Sequence, residues 1–355
     1  MFVGGEFYYD RQWLTGQQTV DTSGKIFLNG GRACLTVIAD YLRSQGINEI
    51  LLPAYLCPSI LDVLEQNGLS WNFYQVNEDF SIDVEDLLQK AADFQAVYFI
   101  TYFGFSHTPE ALAVFKSLQQ SGVIVIEDNA QAGFASSSTG DFCFNSFRKL
   151  VPYDGGYLTT NREISQIIAK YRALPNPRLP LIRAYRKKLF EYLVEEKGSY
   201  RHLVALYAQA EHHYAADLVV EGDPEEQRHI ERLDWAGIRR TRWENYCYLM
   251  GCIAELSEIT PIFPNLPEGT MPLGLPVYLN GAARDPVYEH LGKSGIGLFI
   301  HWEELRHDPR TNGSPLAVSM ASRILTLTID QRTSHKQLDY QVRMLKEGIA
   351  QAKRR

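Results

Sequence analysis

Two stretches of the chain, Ala96-Val97-Tyr98-Phe99-Ile100 and Val123-Ile124-Val125-Ile126, are apolar at almost every position and show no polar alternation. A strand carries that pattern when both of its faces are covered, which is the situation of a parallel sheet sandwiched between helices. The surroundings repeat the theme. Apolar residues at Cys34, Val37, Ile38 and Tyr41 fall at helical spacing after Leu28-Asn29-Gly30-Gly31-Arg32. Glu49–Pro53 reads as a strand, Ile60, Leu61 and Leu64 as a helix, Trp71–Val76 as a strand, and Val84–Ala92 as a helix. Strand and helix taking turns in this way predicts an α/β fold with a mostly parallel sheet.

From Arg162 to Tyr248 the character changes to long, charged segments rich in Tyr and Arg. They are broken by prolines at 175, 177 and 180 and by Gly222-Asp223-Pro224. The remainder mixes strands (Pro276–Leu279, Gly297–Ile300, Ile324–Ile329) with helical spacing. The expected organisation is an N-terminal arm over 1–24, a large domain with a helical extension over 25–235, and a smaller C-terminal α+β domain over 236–355.

The chain has 355 residues, 45% of them hydrophobic, enough for a substantial core. A net charge of −7 argues against a nucleic-acid partner. The local basic run Arg183-Ala184-Tyr185-Arg186-Lys187-Lys188 is expected to be a solvated helix face. Five cysteines without CxxC spacing fit a reducing compartment. Met1 to Tyr9 carries Glu6 and lacks the basic start and apolar run of a secretory leader, and no apolar stretch approaches the ~20 residues of a membrane span. The expected setting is cytoplasmic, with no membrane partner. His212-His213 lacks the helical spacing of a metal pair, and no metal site is expected.

Ligands of open α/β sheets sit beyond the carboxyl ends of the strands. Two predicted strands end in unusual residues: Val123–Ile126 runs into Glu127-Asp128-Asn129-Ala130-Gln131, and Asp141–Ser146 runs into Phe147-Arg148-Lys149. Either residue alone has an ordinary reading, Asp128 as a helix cap and Lys149 as a surface lysine. Together they match what pyridoxal phosphate (PLP) chemistry requires. A lysine amine forms a Schiff base with the cofactor and later shuttles a proton. A carboxylate beside the pyridine nitrogen keeps that nitrogen protonated, so that the ring accepts electrons. Gly30-Gly31-Arg32-Ala33, opening a predicted helix, fits the phosphate cradle that a helix N-terminus offers.

The set Asn29-Gly30-Gly31-Arg32-Ala33, Leu52-Pro53-Ala54-Tyr55-Leu56-Cys57-Pro58, Tyr102-Phe103-Gly104, Glu127-Asp128-Asn129-Ala130-Gln131-Ala132, Ser146-Phe147-Arg148-Lys149 and Asp154-Gly155-Gly156 resembles the DegT-type sugar aminotransferases of PLP fold type I. The resemblance covers about residues 25–161 and is weaker through Arg242-Trp243-Glu244-Asn245 and Ile324–Arg332. It implies a seven-stranded central sheet, PLP as cofactor, and transfer of an amino group from an amino-acid donor to a keto acceptor, typically a nucleotide-linked keto-sugar. It implies Asp128 on the pyridine nitrogen, Gln131 on the phenolic-oxygen side of the ring, Lys149 as the anchoring amine, and Ser146, Gly31 and Arg32 at the phosphate. Asn245 would reach the phosphate of a neighbouring subunit, which implies a homodimer with shared active sites.

The sequence departs from the family pattern in several places: the segment between Ser146 and Lys149 is short, and Leu150-Val151-Pro152-Tyr153 after it is more apolar than usual. Arg32 stands where the phosphate turn usually offers a hydroxyl, and Cys57 stands near the position of a stacking aromatic, for which Tyr55, Tyr102 or Phe103 are the substitutes. His301, with Trp302, is a candidate to reach the substrate pocket. Arg332 is either a carboxylate clamp for substrate or half of a structural salt bridge. Two other readings share the motifs: a PLP enzyme of another reaction type, such as a dehydratase, and a non-catalytic PLP-binding regulatory protein. Conversion of the cofactor by an amino donor separates these from an aminotransferase.

Overall fold

The computed structural model describes residues 1–134, 139–171, 175–216, 219–311 and 314–354. After a two-residue strand β1 (Val3–Gly4), the central sheet is built from β2 (Ile26–Leu28), β3 (Glu49–Pro53), β4 (Ser70–Tyr74), β5 (Ala96–Ile100), β6 (Ile124–Asn129), β7 (Phe142–Asn145) and β8 (Gly156–Thr160). Their order is β2-β8-β7-β6-β5-β3-β4. Strands β4, β3, β5, β6 and β7 are mutually parallel, and β8 runs antiparallel to both β7 and β2. Every residue of β5 and β6 is buried, as the two apolar runs require. The α/β sheet with seven strands is therefore as expected.

Helices α1 (Gly31–Ser44), α2 (Pro58–Gln66), α3 (Val84–Ala91) and α4 (Pro109–Gln120) connect the parallel strands, and α5 (Ser165–Lys170) follows the sheet. Their starts are written in the chain: the Asp83 carboxylate accepts the Asp86 N–H ahead of α3, and Thr108 caps α4 with Pro109 just inside it. Strand β8 reverses because the chain turns straight back after β7, through a single helical turn at Phe147–Lys149 and then Asp154-Gly155-Gly156. Gly155 has φ +140°, and a β-carbon there would collide with the Phe27 ring; one on Gly156 would collide with the Asn145 carbonyl. Only glycines let this turn close beside β2.

The charged middle segment forms α6 (Arg178–Leu193), α7 (Tyr200–Ala216) and α8 (Pro224–Glu231). The first two pack as a hairpin on Leu179, Ile182, Leu189, Leu203 and Ala210. The basic run is not a solvated face. Lys187 and Lys188 are exposed, but Arg186 is buried and Arg183 half-buried. Arg186 pairs with Asp154 at 2.6 Å, and Arg183 with Glu226 at 2.9 Å. The acidic partners are distant in sequence, and they make burial of the arginines affordable.

Beyond α9 (Trp235–Ile253), strands β9 (Ile259–Pro261), β10 (Leu275–Leu279) and β12 (Ile324–Leu327) form an antiparallel sheet in the order β12-β10-β9. It is flanked by α10 (Arg284–Lys293), α11 (Pro315–Arg323) and α12 (His335–Ala352). The strand expected over 297–300 is cut to β11 (Ile296–Gly297), which pairs with β1; beyond it only a single bridge joins Phe299 to Thr326. The chain leaves the sheet there to line the cavity described next. Among the described residues no helix is long and apolar enough to cross a membrane.

Candidate active site

A cavity of about 620 Å³, a size suited to a small-molecule site, opens at the carboxyl ends of the parallel strands. Asp128 near the end of β6, Ser146 and Lys149 after β7, and Gly31 and Arg32 at the start of α1 all line it. Gln131 and His301 line it as well, so most of the site residues singled out in the sequence meet in one place.

Asp128 lies in register with Ile100 of β5 and Phe144 of β7, so Tyr98, two residues back along β5, shares its face. The Tyr98 hydroxyl donates to one carboxylate oxygen at 2.6 Å, and the Ala130 N–H donates to the other at 2.7 Å. Burial pushes the Asp128 carboxyl above its usual range; the charge of Lys149 and these two hydrogen bonds pull the other way. A cation set against this carboxylate would compensate its burial, and a protonated pyridine nitrogen is such a cation.

Burial draws the Lys149 amine below the ordinary lysine range; Cys57 and Asp128 oppose the shift, and Arg148 and Arg32 add to it. Among the described residues its Nζ has no hydrogen-bond or ion-pair partner, and it stands 5.9 Å from the centre of the Trp302 ring. An unpaired lysine shifted toward the neutral amine is a ready nucleophile. The Gln131 carbonyl oxygen accepts the Phe103 N–H at 2.5 Å, but its amide nitrogen is buried with no partner. An orphaned donor on a residue that lines a cavity calls for an acceptor from a ligand, and the ring oxygen of PLP is one. At the other end Gly30 has φ +107° and caps α1 without a side-chain bond, leaving the first N–H groups of the helix open. A β-carbon on Gly30 would lie 3.5 Å from the Ser146 hydroxyl. These residues fit PLP at its nitrogen, its ring oxygen and its phosphate.

The sequence-predicted residues outside the cavity need correction. Tyr55 is fully buried beneath the wall, donating to the His301 carbonyl and packed against Trp302, with ring centres 5.6 Å apart. Tyr102 and Phe103 are buried in the same aromatic cluster, so none of the three proposed stacking rings faces the cavity; Trp302 does. Asn245 turns inward: its amide nitrogen donates to the carbonyls of Ile329, Asp330 and Thr333 of its own chain, fixing the turn between β12 and α12. Arg332 takes the salt-bridge reading. It forks onto Asp330 at 2.8 and 3.1 Å, donates to the carbonyls of Gly5 and Glu6, and stacks on Phe7, tying down the arm.

His301 does reach the cavity, its Nδ1 2.9 Å from the Thr326 hydroxyl. Burial, helped by the nearby Lys149 charge, pushes its pKa down to about 3, so it is a neutral imidazole. Tyr98, Arg148 and Tyr214 of α7 also line the cavity, with no role foreseen for them from the sequence. The alternation of side chains along β5 would have pointed to Tyr98; nothing local marks the other two.

No protein-family model and no curated protein matches this sequence. Solved structures do match its fold. Spr1654 from Streptococcus pneumoniae, described as a sugar aminotransferase and solved in PLP and PMP forms, superposes with a TM-score of 0.67 at 16% identity, covering 96% of this chain and 93% of that one. PseC from Helicobacter pylori, an aminotransferase involved in the biosynthesis of pseudoaminic acid, gives 0.66 at 15% identity over 92% and 87%. A DegT DnrJ EryC1 StrS aminotransferase from Brucella abortus gives 0.61 at 17% identity over 92% and 86%. The chain has the PLP fold type I architecture of these sugar aminotransferases.

Proposed function

We propose that the cavity holds pyridoxal phosphate and that the chain is an aminotransferase, moving an amino group from an amino-acid donor to a keto acceptor. The observation that carries this reading is the unpartnered Lys149 amine facing the same cavity as the buried Asp128 carboxylate. When bound, the cofactor supplies a ring that takes up the electron pair left on the substrate carbon. The chain supplies the rest. Asp128, held by Tyr98 and the Ala130 N–H, keeps a proton on the ring nitrogen. Lys149 Nζ anchors the cofactor and, once displaced by substrate, takes a proton from one carbon and returns it to another. The Gln131 amide orients the ring through its free donor, and Trp302 shields the amine from water.

The acceptor class that best suits the fold is a nucleotide-linked keto-sugar, and the reading includes a twofold homodimer, the commonest closed assembly. The test is a titration of the PLP-loaded protein with amino donors. One donor is expected to bleach the visible band as the cofactor becomes its amine form, and a keto-sugar acceptor to restore it. A spectrum unmoved by every donor would exclude transamination.

A further inference from the structure

Thr326 stands on β12, buried, with its hydroxyl 2.9 Å from the Nδ1 atom of His301. The hydrogen of a buried hydroxyl needs an acceptor, and among the described residues that ring nitrogen is the one within reach. A hydroxyl donating to Nδ1 requires a lone pair there, so in a neutral imidazole the one ring proton sits on Nε2. The ring is neutral: burial, helped by the Lys149 charge, holds its pKa down at about 3. It is also fixed in direction. The Phe103 ring meets it edge-on with centres 5.3 Å apart, and its backbone carbonyl accepts the Tyr55 hydroxyl. Nε2 has no partner among the described residues and is not sealed within protein, so it opens onto the cavity that His301 lines together with Lys149. An N–H left open there answers an oxygen of a ligand. A carboxylate is best met by a cation, with its stronger charge-assisted bond. A neutral donor beside an amine suits a neutral oxygen, and the keto acceptor is the reactant that brings one.

We propose that Thr326 fixes His301 as its Nε2–H tautomer, and that this N–H binds a hydroxyl or carbonyl oxygen of the keto acceptor close to the reacting carbon. His301 is then a specificity-determining residue and Thr326 a positioning residue that acts through it. The acceptor role rests on the PLP reading above; the tautomer does not.

Long-range proton–nitrogen NMR of the full chain, labelled at histidine, reads the tautomer, and loss of a signal in His301→Gln assigns it. The wild type is expected to carry its proton on Nε2 at neutral pH. Thr326→Val should move the Nδ1 resonance, which loses its donor, and Thr326→Ser should restore it. A wild-type ring protonated on Nδ1 or on both nitrogens would overturn the tautomer, and an Nδ1 resonance unmoved in Thr326→Val would remove Thr326 from its role. The acceptor role is read in the two half-reactions of the PLP-loaded protein, followed separately by absorbance. His301→Leu is expected to slow the keto-sugar half-reaction about tenfold or more and to leave the amino-donor half-reaction within about twofold. His301→Gln, whose amide N–H has a similar reach, should recover most of that loss. Equal slowing of both half-reactions would mean that His301 serves Lys149 instead, and no slowing that it only packs; either result overturns the acceptor role. Protein that takes up no PLP would remove the cofactor reading and the acceptor role with it, while the NMR result would still decide the tautomer.

Discussion

The rim of the central sheet and the helical hairpin that closes over it handle charge in opposite ways. In the hairpin region the acids have basic partners: buried Asp154 holds Arg178 and Arg186, buried Glu226 holds Arg183 and Arg186, and half-buried Glu211 holds Arg148 and Arg178. At the rim the charges are left open. Among the described residues Lys149 has no hydrogen-bond or ion-pair partner and Arg32 no acidic one, and Asp128 is met by a phenol and a backbone N–H. A balanced buried network serves the fold, because removing any member strands another. Unbalanced buried charges persist only where something else is meant to answer them. Arg148 belongs to both regions, and through it the structural network reaches the site.

Removing charge from each region sharpens the contrast. Asp154→Asn should be the largest effect, since it leaves Arg178 and Arg186 short of their shared carboxylate. A loss of about 3–5 kcal/mol in urea unfolding is expected, and a loss below about 1 kcal/mol would mean the network is not structural. Tyr98→Phe removes the 2.6 Å bond to Asp128 and should leave unfolding nearly unchanged while slowing turnover about tenfold. Because that bond favours the ionised carboxylate, its loss should also move the acidic limb of the rate profile to higher pH; an unmoved limb would detach Tyr98 from Asp128.

The smallest effect at neutral pH concerns His301. Its folded pKa of about 3 lies below the usual 6.5, so between those values the unfolded chain binds more protons. The stability it supports is intact above pH 6.5 and drains away as pH falls toward 3. His301→Gln should flatten the stability–pH slope across that window, and an unchanged slope would place a charged imidazole in the folded cavity.

The same contrast explains what was legible in the sequence. Apolar runs without alternation gave the sheet, and unusual residues directly after two of them gave Asp128 and Lys149, because a strand end is a local event. The charge pairing of the hairpin is not legible because its compensating acids are remote: Arg186 meets Asp154 across 32 positions, and Arg183 meets Glu226 across 43. Looking only at neighbours, a basic run seems solvated. Asn245 and Tyr55 matched a motif in identity, but the direction of each side chain depends on packing against β12 and Trp302, which no window of sequence contains. Tyr98 sat unremarked inside an apolar run, although its shared face with Asp128 follows from strand geometry.

Lys149 is the amine proposed to hold the cofactor. Reduction of the PLP-loaded protein with borohydride fixes the cofactor to whichever lysine carries it, and peptide mass spectrometry locates the label. One modified peptide is expected, containing Lys149, and none after Lys149→Ala. A label on another lysine, or no label on the wild type, would contradict it.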